Sequence, residues 1–129
     1  MKILAVDDNF DWLTTHSMEL SLACGDNPEL ISACSAFEAL NIYKDEYLEN
    51  PFDLVITDLQ MESDFEPMLA GEWLIKEILE LNTEQKILIV SSHFNIDVIA
   101  DEYGVESLSK RLIIADPLCY GMKLSEILT

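Results

Sequence analysis

The sequence predicts an α/β fold: a doubly wound sandwich in which helices cover both faces of a five-stranded parallel sheet. Five short apolar runs of strand length alternate along the chain with segments that carry helical periodicity. The apolar runs are nearly continuous, which is typical of strands buried on both faces. The 129 residues fit a single domain spanning 1–129, and we expect no separate output domain.

The five strands are predicted where apolar runs are bounded by polar or turn-forming residues, at residues 2–6, 29–34, 52–58, 86–90 and 111–115. Right-handed crossovers would make all five strands point the same way. Their carboxyl ends therefore meet at one edge of the sheet, which is the edge where open α/β sheets bind ligands.

The helices are predicted between these strands, at residues 10–24, from 35 to the break at 50–51, from 71 to 81, from 95 or 97 to 103, and from about 121 to 129. Gly25 and Gly104 stand at typical helix C-termini. Ser35 can cap the second helix, with Glu38 three residues later as its capping-box partner.

The charge balance restricts the classes of partner. The formal net charge is −18, with 25 acidic and 7 basic residues. Direct nucleic-acid binding requires clustered Lys and Arg to replace counterions, so this class is excluded. A basic protein partner, or a surface that imitates nucleic acid, remains compatible with the charge.

The sequence carries no targeting signal that we can identify. No apolar run reaches about 18 residues, so no membrane span is predicted, and the apolar start is too short for a signal peptide. The three cysteines, Cys24, Cys34 and Cys119, form no C-x-x-C pair. We expect free, mostly buried thiols and a cytoplasmic location.

Polar residues follow four of the predicted strands. Asp7 and Asp8 follow the first strand, Asp58 ends the third, Ser91 follows the fourth and Asp116 follows the fifth. Carboxylates gathered at one edge repel one another unless a cation intervenes, and hard oxygen ligands favour Mg²⁺. Such a site can receive a phosphoryl group, with a carboxylate as the nucleophile.

Three segments carry a resemblance to a known family: Ile-Leu-Ala-Val-Asp-Asp-Asn at 3–9, Leu-Val-Ile-Thr-Asp-Leu-Gln-Met at 54–61, and Ile-Leu-Ile-Val-Ser-Ser at 87–92. In order and spacing they resemble the receiver domain of two-component response regulators, which has a flavodoxin-like three-layer fold. The resemblance covers essentially the whole chain.

The resemblance implies a role for each site residue. Asp7 and Asp8 would bind Mg²⁺ together with Asp58 and the main-chain carbonyl of Gln60. Asp58 would be the phosphorylation site, and Ser91 would contact the phosphoryl group and relay the modified state. From the residues alone, Asp58 could instead be a structural turn carboxylate, and Asp7 or Asp8 could cap the following helix.

The chain departs from the family pattern after the fifth strand. The family places a Lys before a Pro there, and the corresponding dipeptide is Asp116–Pro117. Lys110 could supply the missing cation if the fifth strand is instead residues 107–109. The aromatic residue three positions before the family's Lys would be Ile113.

A second departure concerns the loop after the third strand. The family's glycine follows the phosphoacceptor by about eight residues, whereas Gly71 follows Asp58 by thirteen. The excess, residues 62–68, would lie beside the site as a lid or a partner-binding loop.

The leading interpretation is a stand-alone receiver in a phosphorelay, monomeric or dimeric, without membrane contact. A histidine kinase or phosphotransfer protein would donate the phosphoryl group, and a downstream protein would be the target. Beyond its own phosphorylation the protein would not be an enzyme. The alternatives are a pseudo-receiver regulated without phosphate and an acidic inhibitor or nucleic-acid mimic. An Asp-dependent phosphatase is less favoured, because Asp58-Leu59-Gln60 lacks the D-x-D pattern.

Overall fold

One parallel sheet lies at the centre of the protein, in a computed structural model that describes residues 1–25, 28–61 and 68–129. The strand order is β2-β1-β3-β4-β5. The strands are β1 (Lys2–Val6), β2 (Glu29–Ala33), β3 (Leu54–Thr57), β4 (Ile87–Ser91) and β5 (Glu106–Ser109). All neighbouring strands pair in parallel, as the sequence predicts.

Helices cover both faces of the sheet. They are α1 (Phe10–Cys24), α2 (Ala36–Glu46), α3 (Ala70–Leu81), α4 (Ile96–Tyr103), α5 (Lys110–Ala115) and α6 (Leu118–Leu128). One apolar cluster joins the sheet to α2, α3 and α4, and a second joins it to α1, α5 and α6. The predicted doubly wound, three-layer fold is therefore confirmed.

Local signals place most elements within a few residues of their predicted bounds. Ser35 caps α2, where its side chain accepts a hydrogen bond from the Glu38 N–H at 3.2 Å. The Glu38 carboxylate in turn accepts from the Cys34 N–H at 2.9 Å, so two free donors at the helix start are satisfied. The helix ends at Glu46, before the predicted break, and α6 begins at Leu118, three residues before the predicted start.

The predicted fifth strand, residues 111–115, is wrong. Those residues belong to α5, in which Ile113 is buried while Arg111, Leu112 and Ile114 are exposed. The side chain of Ser109 accepts a hydrogen bond from the Arg111 N–H at 3.2 Å and so caps this helix. An apolar run of this length has the same pattern as a buried strand, although here it forms a short helix that buries one side.

The true fifth strand is an edge strand with little apolar character. Of its four residues only Leu108 is buried, and two of the others are serines. Its pattern therefore lacks the continuous apolar run that reveals buried strands.

The prediction of mostly buried cysteines is also wrong. Cys34 is exposed, and Cys24 and Cys119 are half-buried; all three are free thiols. Among the residues that the structure describes, no helix has the length and apolar character needed to cross a membrane.

A buried polar pair links α1 to α6. The side chains of His16 and Tyr120 are fully buried, and the Tyr120 hydroxyl forms a hydrogen bond with His16 Nδ1. Burial lowers the pKa of His16 to about 4; the nearby Lys110 ammonium adds to this decrease, and the Asp58 carboxylate opposes it. His16 is therefore neutral in the folded protein at neutral pH.

This burial predicts a specific loss of stability in acid. The folded-state pKa of His16 lies below the ordinary value of 6.5, so the unfolded chain binds more protons below that pH. Stability contributed by neutral His16 is complete above about pH 6.5 and decreases as the pH falls towards about 4. We expect this term to cost about 2 kcal/mol between about pH 7 and about pH 5.

Urea unfolding of the wild type and of His16→Gln at these two pH values measures the term. The free energy of unfolding of the variant should decrease by about 2 kcal/mol less than that of the wild type over this interval. Equal decreases in the two proteins would contradict the assignment to His16.

Candidate functional site

The carboxyl ends of the central strands bring the predicted acids together. Val6 pairs with Thr57 across β1 and β3, so Asp7 and Asp58 leave the sheet side by side. The carboxylates of Asp7, Asp8 and Asp58 each have an oxygen within 4.8 Å of the others. The convergence predicted for these three residues is present in the structure.

Lys110 lies between two of these acids. Its Nζ is 2.8 Å from Asp7 Oδ2 and 2.8 Å from Asp58 Oδ2. Residue Ser109, the last of β5, pairs with Ser91 at the end of β4, so Lys110 enters the site from the neighbouring strand end. One ammonium therefore offsets the repulsion between two carboxylates.

Burial and the ion pair act in opposite directions on the pKa values of Lys110 and Asp7. Burial alone would lower the pKa of Lys110, but its contacts with Asp58 and Asp7 outweigh that effect and raise the pKa. Burial raises the pKa of Asp7, against the stabilising contacts of Lys110 and of the Asn9 N–H. The lysine is thus held in its charged form.

Backbone amides orient the Asp58 carboxylate. Its Oδ1 accepts a hydrogen bond from the Leu59 N–H at 2.6 Å and a longer one from the Gln60 N–H at 3.4 Å. The backbone N–H of Asp58 itself donates to the Val6 carbonyl at 3.1 Å. With Oδ1 held by amides and Oδ2 by Lys110, the carboxylate has a fixed orientation at the end of β3.

Asp7 and Asp8 differ in environment. Asp7 is fully buried, and its Oδ1 accepts from the Asn9 N–H at 2.9 Å. Its Oδ2 faces the Lys110 ammonium at 2.8 Å and has no other polar partner in the described part of the chain. Asp8 is exposed and lies on the solvent side of the cluster.

Helix capping does not account for these two acids. The N-cap residue of α1 is Asn9, whose side chain accepts hydrogen bonds from the Asp11 and Trp12 N–H groups. The alternative in which Asp7 or Asp8 caps the helix is therefore wrong, and their gathering needs another explanation.

The residues fit a divalent cation. Three carboxylates and one ammonium leave a net charge of −2 at the site, and the donors are the hard oxygens that Mg²⁺ prefers. The buried Asp7 Oδ2 contacts the Lys110 ammonium but no other described donor, so it keeps a lone pair for a metal ion.

Ser91 and Gln60 also lie at this edge. Ser91 ends β4 and is buried, and its Oγ accepts a hydrogen bond from the His93 N–H at 3.1 Å. Gln60 is exposed and follows Asp58 by two residues. The predicted phosphoryl contact of Ser91 and the predicted metal contact of the Gln60 carbonyl stay predictions.

Asp116 does not lie at the site. It is exposed and ends α5, six residues beyond Lys110, so its assignment to the usual Lys position is wrong. The assignment of Ile113 to the family's aromatic position fails with it. The residue three positions before Lys110 is Ser107, whose hydroxyl donates to Asp97 Oδ1 at 3.1 Å.

Gly71 brings the start of α3 against the backbone of the site. A Cβ added at Gly71 would lie 1.9 Å from the Asp58 carbonyl oxygen, and the Gly71 N–H donates to the Leu59 carbonyl at 3.0 Å. Gly71 therefore packs against the backbone at Asp58, although the two are thirteen positions apart in the sequence. The loop predicted at 62–68 lies, except for Met68, outside the described residues.

One site residue was missed by sequence reasoning. The indole of Trp12 lies over the Lys110 ammonium, with 4.9 Å from Nζ to the ring centroid. The available signal was an aromatic side chain in the first turn after the acid pair, but helical periodicity alone gave it no partner.

Comparison with solved structures identifies the fold of the chain. No protein-family model and no curated protein matches the chain. A receiver domain protein from Clostridium thermocellum is 26% identical, with a TM-score of 0.71, over 97% of this chain and 94% of its own. A CheY-like receiver protein from Methanospirillum hungatei JF-1 is 22% identical, with a TM-score of 0.74, over 98% and 92%.

The chain has the fold of a response regulator receiver domain. A third structure with this receiver fold is a CheX–CheY–BeF3–Mg complex from Borrelia burgdorferi, which is 21% identical with a TM-score of 0.73 over 96% of this chain and 88% of that one. The receiver fold places the ends of β1, β3, β4 and β5 at one edge here, which is where the acids and Lys110 meet.

The close approach of Gly71 in this receiver fold gives a test by substitution. Gly71→Ala should lower the free energy of unfolding by about 3 kcal/mol, because the new methyl group meets backbone atoms that cannot rotate away. Gly121→Ala is the matched control within α6, since the nearest described atom to its Cβ would be Glu19 Oε2 at 3.5 Å.

The control should be neutral or stabilising by up to about 1 kcal/mol, because alanine favours a helix interior. Chemical unfolding of the wild type, Gly71→Ala and Gly121→Ala measures these differences in the free energy of unfolding. Similar stabilities for Gly71→Ala and the wild type would contradict the close packing of α3 on Asp58.

Proposed function

We propose that this protein is a phosphoryl-accepting receiver of a two-component phosphorelay, acting in the cytoplasm. The observation that carries the proposal is the Lys110 ammonium, 2.8 Å from both Asp7 and Asp58. A buried cation beside a nucleophilic carboxylate and an acid pair is suited to phosphoryl transfer. A purely structural turn would not require such a cation.

Asp58 is the proposed nucleophile. A carboxylate oxygen of Asp58 attacks the phosphorus of a phosphohistidine; the new P–O bond forms as the P–N bond breaks, and the imidazole leaves. The amides of Leu59 and Gln60 already hold the carboxylate in one orientation, which lowers the cost of alignment. The product is an aspartyl phosphate on Asp58.

Lys110 and Ser91 are the proposed contacts for the transferred group. The ammonium of Lys110 lies beside the Asp58 oxygen and can pair with phosphoryl oxygens as charge develops. The Ser91 hydroxyl lies at the end of the adjacent strand and can donate to them. Held on fixed elements, both groups would need little rearrangement during transfer.

Asp7, Asp8, Asp58 and the Gln60 carbonyl would hold Mg²⁺. Bound Mg²⁺ neutralises negative charge on the transferring phosphoryl group. Without a bound metal ion, the three acids and Lys110 have a net charge of −2, which would repel an incoming phosphate. We therefore propose that phosphoryl acceptance depends on the metal.

The pseudo-receiver alternative loses its main sequence argument, which was the absence of the family's lysine. Lys110 occupies the site from the end of β5. Ser107 still stands where the family has an aromatic residue. This difference bears on how a signal would leave the domain and not on whether Asp58 can accept a phosphoryl group.

Incubation with Mg²⁺ and acetyl phosphate tests the proposal by intact mass. The wild type should gain one phosphoryl group, and Asp58→Ala should gain none. Lys110→Met should slow the modification about 100-fold, because a charged donor to the transferring group is lost; Lys110→Arg, which keeps a charge, should be slowed less. Lys123→Met is the control, since among the described residues Lys123 forms an ion pair only with the exposed Glu106, at 3.5 Å.

No mass gain at millimolar Mg²⁺ would overturn the phosphoryl-acceptor function and favour the pseudo-receiver. A mass gain that survives in Asp58→Ala would reject Asp58 as the acceptor.

Metal binding is tested separately through stability. Mg²⁺ at 100 times its dissociation constant should raise the free energy of unfolding by about 2.7 kcal/mol, because it binds only the folded state. Asp7→Asn should abolish most of this increase. Asp116→Asn should keep it, because the structure places Asp116 away from the cluster.

Urea unfolding with and without Mg²⁺, at matched ionic strength, measures the effect. An equal loss in both variants would show that Mg²⁺ acts through general charge screening and not through the proposed site.

A further inference from the structure

The Lys110 ammonium has a third neighbour besides its two carboxylates. The Trp12 ring lies 4.9 Å from Nζ, while Asp7 Oδ2 and Asp58 Oδ2 each lie 2.8 Å away. The side chain of Lys110 is only 9% exposed. The ammonium is therefore almost fully buried, with the indole as one of its close neighbours.

Such a contact has a definite energetic effect. A cation within about 6 Å of an indole centroid is attracted to the face of the ring, and the attraction is stronger at desolvated sites. Lysine has a flexible four-carbon chain that loses rotamer freedom when its ammonium is held in one place. A ring packed against its end limits that freedom without competing for the carboxylates.

The ring of Trp12 is itself held in place from α1 and α6. His16 lies one turn further along α1, with 6.2 Å between the two ring centroids. The His16 ring meets the Tyr120 ring edge-on at 5.6 Å, and the two are hydrogen-bonded. A row of side chains thus runs from Lys110 into the contact between α1 and α6.

We propose that Trp12 is a positioning residue that holds the Lys110 ammonium between the carboxylates of Asp7 and Asp58. Its effect on phosphoryl transfer rests on the proposed function, whereas the contact itself does not. In this proposal Trp12 acts on phosphoryl transfer through Lys110 and not directly on Asp58.

Phosphorylation rates with Mg²⁺ and acetyl phosphate test the positioning role. Trp12→Leu should slow modification about tenfold, and Trp12→Phe about twofold to threefold, because phenylalanine keeps a weaker cation–π contact. Trp73→Phe is the matched control: Trp73 lies on α3, on the opposite face of the sheet, against Phe37 at 5.1 Å. Thermal unfolding confirms that each variant is folded under the assay conditions.

A double-mutant cycle separates positioning from general damage. In a Lys110→Met background, Trp12→Leu should cause no further slowing, because its effect passes through the missing ammonium. Tenfold slowing in that background as well would overturn the proposal.

A second measurement needs neither metal nor phosphodonor. The chain has two tryptophans, so Trp73→Phe leaves Trp12 as the single fluorophore. In that protein, Lys110→Met should shift the Trp12 emission and Lys123→Met should not. Unchanged emission after Lys110→Met would overturn the proposal.

The two experiments fail independently. If the wild type is not phosphorylated but Lys110→Met shifts the Trp12 emission, the proposed function is overturned and the Trp12–Lys110 contact is supported. If phosphorylation proceeds but Trp12→Leu does not slow it, the positioning role is overturned and the proposed function stands.

Discussion

The ion pair of Lys110 with Asp7 and Asp58 is the interaction on which the rest of the site depends. It joins the ends of β1, β3 and β5, three strands that are far apart in the chain. Two carboxylates this close would otherwise raise one another's pKa. Because the ammonium is buried with them, removal of either partner would leave an uncompensated charge, which is far more costly than loss of a surface pair.

Most of the fold could be predicted because β1, β3 and β4 are buried on both faces and β2 follows a clear helix stop at Gly25. The meeting of Asp7, Asp8 and Asp58 followed from strand direction alone, whereas Asp116 was misplaced together with the fifth strand. The fifth strand could not be predicted, because a half-exposed edge strand of four residues has no distinct pattern. The contact of Trp12 with Lys110 joins α1 to the end of β5, and helical periodicity contains no information about such a contact.

The misplaced strand also explains the misplaced cation. A residue before proline avoids the helical region, but Lys110 is followed by Arg111, so α5 can begin at the lysine itself. The proline appears only at Pro117, beyond that helix. The family's adjacent Lys and Pro are thus separated by α5 in this chain, so alignment on Pro117 puts Asp116 at the position of the lysine.

The placement of Lys110 against Asp7 Oδ2 has a consequence for the metal concentration at which the site would respond. The lysine is a resident competitor for the oxygen that a divalent ion would use. Any measured metal affinity then includes the free energy of loosening that pair, in the same way that a ligand's affinity is reduced when its binding-competent state is only partly populated. The site would respond to metal over a higher concentration range than three unopposed carboxylates, and the protein would stay folded when metal is scarce.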